Sequence, residues 1–166
     1  MKKYMQTDFD NFEVDEYGRK ICPAGDYTAI KSFGEWCSFG EGCRFGERCS
    51  FGAWCSFGEQ CSFSERCSFG KCCSFSEDCS FSEDCNFGEW CSFGKWCRFD
   101  EDCSFGERCY FGVGCSYENG AVKNGRYVAV DRIGSENRKA YFYIDENGNM
   151  FVRAGCWFSD MAAFKE

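Results

Sequence analysis

The sequence predicts an all-β solenoid, a triangular parallel β-helix of about five 18-residue coils followed by a small antiparallel meander. The first observation behind this is a step of six. Fourteen Phe run from Phe33 to Phe111, Tyr117 follows in phase, and fourteen Cys from Cys37 to Cys115 keep the same step without insertion or deletion. The second is a step of eighteen within the variable positions. Trp36, Trp54 and Trp90 are separated by multiples of it, with Cys72 and Arg108 at the other steps, and Glu47, Glu65, Glu83 and Glu101 recur every eighteen. Eighteen residues per coil turns each set into a column of neighbours roughly 4.8 Å apart, the spacing of paired strands. The third is alternation: in Cys-Ser-Phe, Cys and Phe point to one side of a strand and Ser to the other.

Each strand of this kind is too short to be stable alone, and stacking coils satisfies its backbone and buries a continuous core. A fully buried Phe contributes roughly 1.5–3 kcal/mol, so a ladder of them offsets a large ordering cost. The Gly after each Phe, permissive in unusual backbone conformations, is expected to form the corner.

Read from its aromatic residue, the unit is Phe, then Gly (in places Ser or Asp), two variable positions, Cys and usually Ser, as in Phe57-Gly58-Glu59-Gln60-Cys61-Ser62. It resembles the hexapeptide repeat of left-handed parallel β-helix proteins. In that family a bulky aliphatic residue is followed by a small or acidic one and, four positions on, by a small apolar one, and three units make a triangular coil. The resemblance covers about half of the chain and implies left-handed coiling; Phe stands here where that family usually carries Ile, Leu or Val. The alternative is the square β-helix of pentapeptide-repeat proteins, which favour Phe or Leu at the central inward position; it ranks second because a period of five is absent.

In chain order, residues 1–32 are expected to be a cap or degenerate first coil. Ile21 and Tyr27 fall in phase with Phe33, and Pro23 and Gly25 bend the path. An open solenoid end is an unpaired strand edge that invites stacking, which is why a cap is expected. Residues 33–117 form the solenoid. From 118 to 166 the composition changes: Arg126–Ile133, Ala140–Ile144 and Met150–Ala154 read as strands, the last two joined as a hairpin through residues 145–149. Ser159 is expected to cap a short final helix, Asp160–Lys165, with Asp160 near its positive end. This meander plus helix reads as a cap or a dimerisation module, with Cys156, Trp157 and Phe158 on its apolar face.

Seventeen cysteines in 166 residues suggest a secreted disulfide scaffold by count alone. Their placement argues for reduced, buried small residues instead. The start, Met1-Lys2-Lys3-Tyr4, lacks the apolar core of a signal peptide, and no apolar run reaches membrane-spanning length. The expectation is a soluble, cytoplasmic protein. Metal binding by a column of inward thiols without His is disfavoured, and no cofactor is expected.

The net charge is −8, and residues 33–117 carry ten Glu and four Asp against seven Lys plus Arg. That balance repels nucleic acid directly. With no His, no phosphate-binding loop and no nucleophile elbow, the acyltransferase and carbonic anhydrase activities that the resemblance brings to mind have no residues to perform them. Cys72 lies outside the inward register, but no base is evident beside it. Single Ser rows broken by Arg44, Asn86, Arg98 and Tyr110 are a poor match to the double Thr rows of ice-binding β-helices.

The reading that remains is a rigid acidic surface striped with Trp. Its candidate interface residues are Trp36, Trp54, Trp90 and Trp96 with Glu47, Glu65, Glu83, Glu101, Asp84 and Asp102. The expected partner is a protein, in the most specific form a basic nucleic-acid-binding enzyme inhibited by mimicry. Self-assembly into homo-oligomers is the first alternative. Capture of a small ligand between solenoid and C-terminal module is the second.

Overall fold

In the computed structural model the described residues are 1–100, 103–106, 108–112, 115–117, 120–122, 125–133, 138–144, 150–154 and 157–160, with side chains described through residue 116. They form a parallel β-solenoid of about five coils with a period of eighteen. Three sheets make three faces. Outward residues define them: Ser38, Ser56, Ser74, Ser92 and Tyr110 on the first; Arg44, Ser62, Ser80, Arg98 and Ser116 on the second; Ser32, Ser50, Ser68, Asn86 and Ser104 on the third.

Successive coils are tied by main-chain hydrogen bonds that repeat with every unit. Around Cys73, for example, the Ser74 N–H donates to the Cys55 carbonyl and the Ser76 N–H to the Phe57 carbonyl, both one coil below. A third bond runs the other way at the corner, where the Cys72 N–H donates to Glu89 one coil above. A two-residue strand thereby gains the satisfaction that it cannot provide for itself.

Phe fills the triangle by geometry. Phe57 lies parallel on Phe75 of the next coil, with centroids 4.8 Å apart and planes 3° apart, and edge-on to Phe63 of the next face at 5.1 Å and 86°. Stacking along the axis and edge contacts around it are both favoured arrangements, worth about 0.5–1.5 kcal/mol per pair beyond burial. Every ring from Phe33 to Phe111 is buried.

The Cys positions are equally regular. All fourteen from Cys37 to Cys115 are buried and unbridged. From Cys55 onward each thiol lies 3.1–3.5 Å from a carbonyl at the corner of the coil below, as in Cys55 to Gly34, Cys73 to Gly52 and Cys97 to Ser76. A small apolar side chain with a weak donor answers a carbonyl that faces the core, which Ala could not do.

The corners correct one expectation. The Gly after Phe is not the residue with the unusual backbone. That is the second variable position, where Trp36, Arg48, Trp54, Gln60, Arg66, Cys72, Asp78, Asp84, Trp90, Trp96 and Arg108 all have φ between 55° and 62°, and Gly42 has 64°. Gly instead marks close approach: a Cβ on Gly70 would stand 2.6 Å from the Ala53 nitrogen of the coil below, although Ser64, Ser76, Ser82 and Asp100 fill the same position elsewhere.

At the N-terminal end, a helix over Gln6–Asp10 and the chain around it lay rings across the Phe columns. Phe9 meets Phe33 edge-on at 5.2 Å, Tyr4 stacks on Tyr27 at 5.0 Å, and Tyr27 stacks on Phe45 at 5.5 Å. Ile21 departs from the expected phase. It pairs with Ser38 and is 42% exposed, while Cys22 pairs with Phe39 and is buried. The turn through Pro23 and Gly25 makes a step of five from inward Cys22 to inward Tyr27 where the repeat steps by six, so alternation turns Ile21 outward.

At the other end the parallel order stops. Gly125–Ile133 pairs antiparallel with the Tyr110–Phe111 strand, and Gly120–Val122 folds back on Cys115–Tyr117. Strands Arg138–Ile144 and Met150–Ala154 complete the expected meander. The expected final helix is corrected in part. Ser159 and Asp160 belong to a fourth strand, Trp157–Asp160, paired antiparallel with 150–154, and residues 161–166 lie outside the described ones. Trp and Phe favour strands, and an edge left by the previous strand offers them a ladder.

Candidate functional site: an aromatic edge of the solenoid

The left-handed corner positions form three edges of the triangle, and side chains there project from a fixed backbone. Between the third and first faces stand Trp36, Trp54, Cys72, Trp90 and Arg108. Between the first and second stand Gly42, Gln60, Asp78 and Trp96, and between the second and third Arg48, Arg66 and Asp84. Corner N–H groups from Trp36 to Asp78 bond to the next coil, as in Trp36 to Ala53 at 3.1 Å and Trp54 to Lys71 at 3.0 Å, so the column is held at coil spacing.

Trp36, Trp54, Trp90 and Trp96 are 44, 47, 43 and 52% exposed. The first three are brought together on one edge. Trp36 and Trp54 stack with centroids 5.5 Å apart and planes 11° apart. The Arg108 guanidinium lies over the Trp90 ring at 4.6 Å, a cation–π contact that the sequence analysis did not assign although Arg108 sits on the same step of eighteen. Trp96 is placed on a different edge.

The acidic candidates are also divided among edges. Glu47, Glu65 and Glu83 precede the corner residues of the second-to-third edge, away from the Trp column. Their carbonyls take part in the corner ladder: Arg48 donates to Glu65, Arg66 to Glu83, and the Lys31 ammonium to Glu47. Asp84 accepts from the Arg66 Nε at 3.4 Å, and Lys95 lies 3.3 Å from Glu77 on the remaining edge. These pairs are exposed, where ion pairs contribute little. Glu101 and Asp102 lie outside the described residues.

The Cys79, Cys85 and Cys91 thiols are pushed up to about 12, first by their column neighbours Cys61, Cys103 and Cys109 and then by burial. They stay protonated at neutral pH, and a protonated thiol is a poor nucleophile. Cys72, half-buried on the Trp edge, is apart from these columns. The junction between solenoid and meander, expected to offer a small-ligand pocket, includes residues outside the described ones. Among the described residues no helix is long and apolar enough to cross a membrane.

No protein family, curated protein or solved structure matches this chain.

Proposed function

We propose that this protein is a non-enzymatic binding protein whose Trp edge and acidic surface engage a basic protein partner. Inhibition of a nucleic-acid-binding enzyme by mimicry is its most specific form. The observation that carries this reading is the line of exposed indoles at Trp36, Trp54 and Trp90. These positions have a backbone suited to Gly, and Gly42 occupies the equivalent place on another edge. The fold therefore does not need Trp there. Aligned, solvent-facing aromatics on a rigid backbone are the composition of a contact surface. The excess of acid along the solenoid, ten Glu and four Asp against seven basic residues over 33–117, speeds encounter with a basic partner. The unbridged cysteines among the described residues fit the reducing cytoplasm. The step of six supports reading the chain as a Cys- and Phe-rich variant of the hexapeptide-repeat β-helix, without the enzyme residues of that family.

The test is capture from a cell lysate at low and high salt, comparing the natural chain with a Trp36→Ser, Trp54→Ser, Trp90→Ser variant. A basic protein retained only at low salt, displaced by added duplex nucleic acid and lost with the variant, supports the proposal. Recovery of only the protein itself overturns it. One observation favours self-assembly as a second reading: strand 157–160 is one of the two outer strands of the ten-stranded sheet among the described residues, and an outer strand can pair with another copy. Association that survives high salt and is lost on truncation before residue 157 would favour it.

A further inference from the structure

We infer that the Trp54 and Trp90 indoles form a slot over Cys72 that takes the guanidinium of an arginine side chain from a basic protein partner. This deepens the proposed function and rests on that reading of the edge. The Trp column runs along the solenoid axis with its ring faces turned along it, as the Trp36–Trp54 stack and the Arg108–Trp90 contact show. Trp36 covers one face of Trp54 and Arg108 covers one face of Trp90. The two faces left are turned towards each other across the level of Cys72, a side chain too small to reach between them.

The spacing suits a planar cation. Two coils separate the indoles by roughly 10 Å, so a group midway lies about 5 Å from each centroid, within cation–π range. The same column already holds a guanidinium at 4.6 Å from Trp90, which gives the distance this backbone imposes. A plain aromatic ring would fit the spacing as well, since Trp36 and Trp54 are 5.5 Å apart. Charge decides between them. The solenoid carries ten Glu and four Asp against seven basic residues, and at this edge the Glu89 carboxylate in the next coil offsets Lys71, which neighbours Cys72. A planar delocalised cation stacks on indole and is less costly to dehydrate than an ammonium, so Arg is preferred over Lys.

The experiment follows Trp fluorescence of the full chain on titration with hexa-arginine and with hexa-lysine, repeated with Cys72→Trp and Cys72→Arg variants. Trp and Arg both occur naturally at this corner position, so either substitution fills the slot from within the column. The natural chain should bind hexa-arginine about five- to tenfold more tightly than hexa-lysine. In both variants that preference should fall below about twofold, with hexa-lysine affinity unchanged in Cys72→Trp, which adds no charge. Equal affinity for the two peptides in the natural chain overturns the slot and leaves the acidic surface standing. A preference retained in both variants also overturns it, since the arginine would then bind elsewhere. If neither peptide binds, the broader reading of the surface fails together with the slot. Tighter binding of an uncharged Trp-containing hexapeptide than of hexa-arginine would assign the slot to an aromatic group and overturn the arginine.

Discussion

The edge bearing Trp36, Trp54 and Trp90 and the edge bearing Arg48, Arg66 and Asp84 share one backbone and present different surfaces. Both use a left-handed residue at the second variable position, near φ 60°, and both bond it to the coil above. One edge lines up indoles and the other lines up charges that pair across coils, as Arg66 does with Asp84. The difference teaches that the corner conformation belongs to the architecture, while the side chain placed on it is free to serve recognition. Non-Gly residues in this conformation are held there by their surroundings at some cost, and the ladder of coils supplies the constraint.

The largest effects should come from what lies beneath both edges and therefore leave the comparison intact. The thiols of Cys79, Cys85 and Cys91 have their pKa raised from 9.0 to about 12, so above pH 9 the unfolded chain loses protons that the folded chain retains. Their contribution is fully present below pH 9 and is lost as pH rises towards 12, by about 1.4 kcal/mol per pH unit for each thiol. Denaturation midpoints measured from pH 7 to 11 should be flat at first and then fall steeply. A stability that rises over pH 9–11 would contradict this. Next, Phe69→Ala opens a cavity in the middle of the stack and should cost about 3–5 kcal/mol by chemical denaturation.

A smaller effect separates backbone from side chain. A β-branched residue resists positive φ, so Arg66→Val and Trp54→Val should each be about 1–2 kcal/mol less stable than the matching Gly variant. Similar gaps on the two edges would sharpen the claim of a shared corner, and a gap on one edge alone would break it. The smallest effect belongs to the charged edge: Glu65→Gln with Glu83→Gln should raise stability by a few tenths of a kcal/mol at low salt and by less at high salt.

Much of this fold is legible in the sequence because a solenoid repeats each contact. Phe and Cys at a fixed step announce the inward positions, and Trp and Glu every eighteen announce the columns. The corner is less legible. Gly after Phe invites assignment of the unusual backbone to itself, whereas its role is to let the coil below approach, a relation between residues a full turn apart. Ile21 misleads for a related reason, since its phase is counted through a turn that drops one residue. Ser159 and Asp160 have the chemistry of a helix start, but Trp157 and Phe158 find a strand partner that local sequence does not reveal. Of the candidate site, the Trp column is readable from spacing. The separation of Trp96 and of the Glu column onto other edges follows only once the order of three faces per coil is known.

The most direct measurement of the central claim compares the two edges in the same capture from lysate. One variant carries Trp36→Ser, Trp54→Ser and Trp90→Ser, and the other carries Glu47→Gln, Glu65→Gln and Glu83→Gln. Retention of a basic partner should fall at least tenfold in the first and no more than about threefold in the second, with both proteins folded by circular dichroism. Equal retention by the Trp variant and the natural chain would contradict the assignment of recognition to the aromatic edge.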